Sequence, residues 1–81
     1  MEFEIIRKIV AEVMKLDPKE VSGDTTFIED LGADSLDVCR IIMNVQEEFA
    51  IVLPRESIYT VNSVNGCLEL IRGSKNNSKP R

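Results

Sequence analysis

Between Leu36 and Phe49 the apolar residues Val38, Ile41, Ile42, Val45 and Phe49 fall at i, i+3, i+4, i+7 and i+11. That spacing puts them on one face of an α-helix about four turns long, a periodicity no strand can use. Phe3, Ile6, Ile9/Val10, Val13 and Met14 repeat the pattern near the start, with Glu4, Arg7, Lys8, Glu12 and Lys15 between them, and Val64, Cys67, Leu68 and Ile71 repeat it near the end. The one strand-like run, Ala50-Ile51-Val52-Leu53-Pro54, carries a proline and has no partner strand, so it reads as an apolar loop. With only 5% aromatic residues and no tryptophan, the core must be aliphatic. The expected fold is all-α: a small four-helix bundle of three longer helices and one short one.

The helix boundaries follow from local chemistry. The first helix spans residues 2 to 15 and stops before Asp17-Pro18, because the residue preceding proline is pushed out of the helical region. Residues 16 to 32 hold no period and are rich in turn formers, which gives a long loop between helices one and two, anchored by Val21, Phe27, Ile28 and Leu31. Asp34 or Ser35 caps the second helix. Arg55 to Thr60 allows a short helical piece, Asn62-Ser63 caps the last helix, and Gly73 stops it. The domain is thus expected over residues 1–72, with a disordered polar, basic tail over 73–81.

Composition narrows the function. Residues 1 to 71 carry six Lys and Arg against fourteen Asp and Glu, a net charge of −8, while the last ten residues hold four basic groups and no acid. So acidic a body repels nucleic acid and anionic lipid and is steered toward basic protein surfaces. No apolar run approaches the ~20 residues of a membrane span, and Met-Glu-Phe-Glu is unlike a signal peptide, so the expectation is a soluble, cytoplasmic chain. Cys39 and Cys67, without histidine or a Cys-x-x-Cys pair, suggest free thiols rather than zinc or a disulfide, with Cys67 buried and Cys39 partly exposed. Glu29, Asp30, Asp34 and Asp37 cluster in sequence but lack the ligand spacing of an EF-hand, and no metal is expected.

The hexapeptide Gly32-Ala33-Asp34-Ser35-Leu36-Asp37 places one hydroxyl between two carboxylates directly ahead of the second helix. Without a histidine to act as base, Ser35 is not a hydrolytic nucleophile, and no enzyme activity is expected. A phosphodiester would suit the same place, since the first turn of a helix offers free N–H groups and the positive end of a dipole. Asp34 and Asp37 oppose such an anion locally and make better sense as contacts for Arg or Lys on a partner. The second helix also carries an outward stripe, Leu36, Cys39/Arg40, Met43 and Glu47. Leu36 and Met43, rimmed by Asp34, Asp37, Glu47 and Glu48, then form a docking patch or scattered surface hydrophobicity.

Residues 2 to 72 resemble the acyl carrier proteins. The resemblance rests on Phe27-Ile28-Glu29-Asp30-Leu31-Gly32-Ala33-Asp34-Ser35-Leu36-Asp37, Gln46-Glu47-Glu48-Phe49, Ile51-x-Leu53-Pro54 and Val61-x-Ser63-Val64, with matching spacing between these blocks. It implies a 4′-phosphopantetheine arm esterified to Ser35, carrying acyl groups as thioesters, most directly in fatty acid biosynthesis. It implies as partners a phosphopantetheinyl transferase and acyl-loading and acyl-using enzymes with basic docking surfaces, met through Asp34, Leu36, Asp37, Arg40, Met43, Glu47 and Glu48 on a monomer. The acyl chain would enter the interior past Ile6, Val10, Val45, Ile51, Val61, Leu68 and Ile71, although a closed core fits the periodicity equally well. Arg40 and Gln46 stand where family members usually carry acids, and the third helix is less acidic. Those departures favour the alternative of a carrier dedicated to one lipid, polyketide or aminoacyl transfer pathway. A non-carrier helical interaction module, with Asp34 to Asp37 only a cap, is the alternative of another class.

Overall fold

The computed structural model describes residues 2–77, which form four helices and, among the described residues, no strand. The first helix, α1, runs Glu2–Met14 and buries Ile6, Ile9, Val10 and Ala11. It ends one residue earlier than expected because Lys15 turns into the left-handed region at φ 59°, and the Leu16 amide reaches back to the Ala11 carbonyl at 2.8 Å. That closure satisfies a carbonyl at the helix end and folds Leu16 against the core.

The connection that follows is held throughout. Asp17 caps a single 3-10 turn, Pro18–Glu20, through a reciprocal pair of side-chain bonds with Lys19 and Glu20. Arg7 of α1 donates from Nε to the Pro18 carbonyl at 2.7 Å. Val21 and Phe27 are fully buried and Leu31 packs partly against the core, but Ile28, expected as an anchor, is half exposed. The chain turns tightly between Thr26 and Gly32, and one turn cannot direct both Phe27 and its neighbour Ile28 inward.

Helix α2 spans Ser35–Phe49 and buries Val38, Ile41, Ile42 and Val45, with Phe49 partly covered, as its core stripe requires. Ala50 ends it in the left-handed region at φ 54°. The Gln46 side chain then accepts a hydrogen bond from the Leu53 amide at 2.8 Å, which explains why the apolar run 50–53 is a fixed loop without strand partners. One turn of helix, α3, covers Ser57–Thr60.

The last helix, α4, runs Val64–Asn77. Ser63 begins it, its Oγ accepting from the Gly66 amide at 3.1 Å, while Asn62 bonds elsewhere. Gly73 does not stop it. A glycine ends a helix where the chain turns left-handed, and Gly73 is not in that region. In a continuing helix it costs only about 1 kcal/mol relative to alanine. The tail expected from residue 73 is therefore helical to 77, and its remainder, 78–81, lies outside the described residues. Helix α1 packs against both α2 and α4 around one aliphatic core, in which Phe27 is the single fully buried aromatic side chain among the described residues.

Candidate functional site

Asp34, rather than Ser35, is the cap of α2. Its carboxylate accepts from the Asp37 amide at 2.9 Å, and the Asp37 carboxylate accepts from the Asp34 amide at 3.3 Å. Two donors at the helix start are thus satisfied reciprocally. Gly32, at φ +73°, sets the direction of entry, with its amide bonded to the Ile28 carbonyl at 3.1 Å. Nothing crowds a Cβ at that position, so the backbone sign alone calls for glycine there.

This construction leaves Ser35 as the first helical residue, exposed and with its hydroxyl unpartnered among the described residues. The Ser35 and Leu36 amides likewise find no acceptor among the described residues. A phosphate ester on Ser35 would meet two free N–H groups and the positive end of the helix dipole, so the residues present fit such a group. The chain has no histidine to serve as a base beside it. No group of three or more His, Cys, Asp or Glu among the described residues is arranged to hold a metal ion.

The loop ahead of Ser35 is positioned from a distance. The Phe27 amide bonds to the Asn62 carbonyl at 2.9 Å, the Ile28 amide to Asn62 Oδ1 at 3.1 Å, and Asn62 Nδ2 donates to Glu29 at 2.9 Å. Asn65 Nδ2 donates to Asp24 at 3.0 Å, and its amide to the Gly23 carbonyl. A Cβ on Gly23 would sit 2.7 Å from Asn65 Oδ1, so a larger residue there would push the Asn65 side chain off its bond to Asp24. The Asn62 bond holds the Glu29 carboxyl below its ordinary range, and the Thr26 amide and hydroxyl do the same for Asp30.

Leu36 and Met43 are 60% and 55% exposed, and they share the outward face of α2 with Arg40 and Glu47. Arg40 lies 4.0 Å from Asp37, an exposed pair worth less than about 1 kcal/mol. Glu48 does not join them. It stands about 100° further round the helix, lining a pocket against α1 with Ile5, Lys8, Ile9 and Glu12.

Six of the seven residues expected to line an acyl site are buried side chains of the closed core, Ile6, Val10, Val45, Val61, Leu68 and Ile71, while Ile51 is half-buried. None of the seven borders the cleft of about 360 Å³ that opens between α2 and α3. Its walls are Ile42, Met43, Leu53, Pro54 and Ile58, with Cys39, Gln46 and Arg55. At roughly 100° per residue, Ser35, Cys39, Ile42 and Gln46 fall within about 60° of one another around the helix. The cleft therefore begins about one turn along α2 from the serine, on the serine's own side. Its α2 wall falls at the seam between the core stripe and the outward stripe, and its opposite wall comes from residues without period. Beside this cleft Ser57 is 1% exposed with its hydroxyl unpartnered, an arrangement that costs on the order of 1–3 kcal/mol. Cys39 is half-buried and Cys67 buried, both as free thiols, and burial pushes the Cys67 thiol up to about 12.

Comparison with known proteins agrees with this site. Residues 4–71 match the family described as the phosphopantetheine attachment site. The acyl carrier protein of Clostridium acetobutylicum is 40% identical over 72 residues, covering 89% of this chain and 94% of its own. That of Wolinella succinogenes is 37% identical over 73 residues, covering 90% and 96%. A solved structure from Mycobacterium tuberculosis, assigned there to the acyl carrier proteins, has a TM-score of 0.81 at 19% identity over 90% of this chain and 97% of that one, which shows a shared fold. An exposed, baseless serine at a prepared helix start, inside a domain that matches over most of its length, leads to one statement: the chain belongs to the phosphopantetheine-bearing acyl carrier proteins, which carry acyl groups and do not catalyse.

Proposed function

We propose that Ser35 is the residue that bears the 4′-phosphopantetheine arm and that the chain presents acyl groups to enzymes of fatty acid biosynthesis. The observation that carries this reading is the exposed, unpartnered Ser35 hydroxyl beside two free amides, fixed by a capping box that spends Asp34 and Asp37 on the helix rather than on the serine. When bound, the arm supplies a thiol on which an acyl group is held as a thioester. The chain's own residues orient it: Gly32 and Asp34 set the start of α2, and the side of α2 that continues from Ser35 opens into the cleft bordered by Ile42, Leu53 and Ile58. That cleft is the first apolar surface an acyl chain would meet. Ile6, Val10, Val45, Ile51, Val61, Leu68 and Ile71 become lining only where the helices part further.

Leu36 and Met43, with Asp34, Asp37 and Glu47 around them, form the docking face for a phosphopantetheinyl transferase and for acyl-loading and acyl-using enzymes with basic surfaces. Glu48 would touch only a partner that reaches across to α1. A second reading, a carrier dedicated to one pathway, is favoured by Arg40, which puts a cation in the middle of that face with 64% of its side chain exposed. Among the described residues no helix is long and apolar enough to cross a membrane, and the carrier is proposed to act as a cytoplasmic monomer.

Incubation with coenzyme A and a phosphopantetheinyl transferase should add the mass of one arm to the wild type and none to Ser35→Ala. An unmodified wild type, or equal addition to the variant, overturns the assignment. The variant should fold normally, because exposed substitutions usually change stability by no more than about 0.5 kcal/mol.

A further inference from the structure

The cleft between α2 and α3 is apolar on most of its surface, and apart from the weakly polar Cys39 thiol its uncommitted polar side-chain atoms are nitrogen donors. Gln46 Oε1 is occupied by the Leu53 amide, which leaves its Nε2 hydrogens. The Arg55 side chain, in the opposite wall, has neither an ion pair nor a hydrogen bond among the described residues. No carboxylate borders the cleft. What the wall offers a guest is therefore apolar contact plus donors, with one unpaired guanidinium whose planar fork suits a carboxylate. The pocket against α1 differs, because there Glu12 and Glu48 accompany Lys8 and the site carries its own counter-charge.

We propose that this cleft takes acyl chains whose far end carries a carboxylate, in preference to plain saturated chains of the same size. The proposal rests on the reading that Ser35 bears the arm, and it names the cargo class of that site. A volume of about 360 Å³ holds at most about a dozen heavy atoms at roughly 30 Å³ each, so the chain is short to medium. Bound with its thioester toward Ser35, such a chain lays its methylenes on Ile42, Leu53 and Ile58 and brings its carboxylate to Arg55 and Gln46 Nε2. The acidic surroundings, Asp34, Asp37, Glu47 and Glu56, lie outside the wall. None of these four carboxylates lines the cleft, whereas Arg55 is in the wall itself.

The test uses hexanedioyl-coenzyme A and octanoyl-coenzyme A, which match in heavy-atom count. A phosphopantetheinyl transferase loads each onto the wild type, and hydroxylamine cleavage of each thioester is timed relative to the same acyl-coenzyme A in solution. The hexanedioyl form should be protected about two- to fivefold more than the octanoyl form, the range an exposed ion pair provides. Arg55→Met, an exposed change that leaves the fold intact, should remove the excess, and Arg55→Lys should retain part of it. Equal or better protection of the octanoyl form, or an excess that survives Arg55→Met, overturns the proposal while the carrier reading stands. Failure of both compounds to add mass to the wild type overturns both.

Discussion

The two long connections of the fold, residues 15–34 and residues 50–63, draw on similar turn-forming and apolar residues but are held in different ways. The first sinks Phe27 and Val21 completely into the core and is bonded to Asn62 and Asn65. The second leaves Val52 87% and Tyr59 82% exposed, contains one turn of helix, and buries in Ser57 a hydroxyl with no partner. Local opening is easiest where buried apolar contacts are few and polar groups are poorly matched. By that measure residues 50–60 of the second connection should open before the first, while Asn62 at its end is itself bonded to the first.

The largest break in this comparison is Phe27→Ala. Removing the one fully buried aromatic among the described residues should cost about 3–5 kcal/mol, comparable to the whole stability of a domain this small. Ile58→Ala, at a half-buried position of the yielding side, should cost about 1–2 kcal/mol. Urea titrations followed by circular dichroism would measure both. Equal losses would mean that the two connections are equally anchored.

A smaller effect sharpens the same contrast. Asn62→Ala removes the acceptor for the Ile28 amide and should cost about 1 kcal/mol at neutral pH. It also removes the main cause of the lowered Glu29 carboxyl. A carboxyl held below its unfolded value stabilises the fold above that value, about 4.3, and the contribution is lost as pH falls through the folded value. The difference in melting temperature between wild type and Asn62→Ala should therefore narrow as pH drops below about 4. A gap that is constant with pH would show that the Glu29 contact contributes nothing.

The three long helices are legible in the sequence because each carries a stripe of apolar residues at 3.6-residue spacing, and Ser35 is legible because its neighbours are a cap and a helix start. What escaped is set by contacts across the fold. Asn62 reads locally as a helix cap, and only the folded chain shows it bonded to a loop some 30 residues earlier. Periodicity marks Val45 and Leu68 as inward but cannot tell a filled core from a cavity, and it gives no sign of the cleft that opens at a seam with Arg55 and Ile58. Gly73 resembles a stop signal, yet glycine permits a left-handed turn without requiring one.

The smallest predicted effect has the opposite sign. Ser57→Ala deletes an unpartnered buried hydroxyl, adds a better helix former to a one-turn helix, and leaves a void smaller than a methyl group. It should leave stability unchanged or raise it by less than about 1 kcal/mol, an increase of at most several degrees in melting temperature for a domain of this size. Ser63→Ala is the control, since its hydroxyl accepts the Gly66 amide and its loss should cost about 1 kcal/mol. A Ser57→Ala variant as damaged as Ser63→Ala would show that the Ser57 hydroxyl has a partner in solution. The second connection would then be as well satisfied as the first, and its capacity to yield would have to come from the shortness of α3 alone.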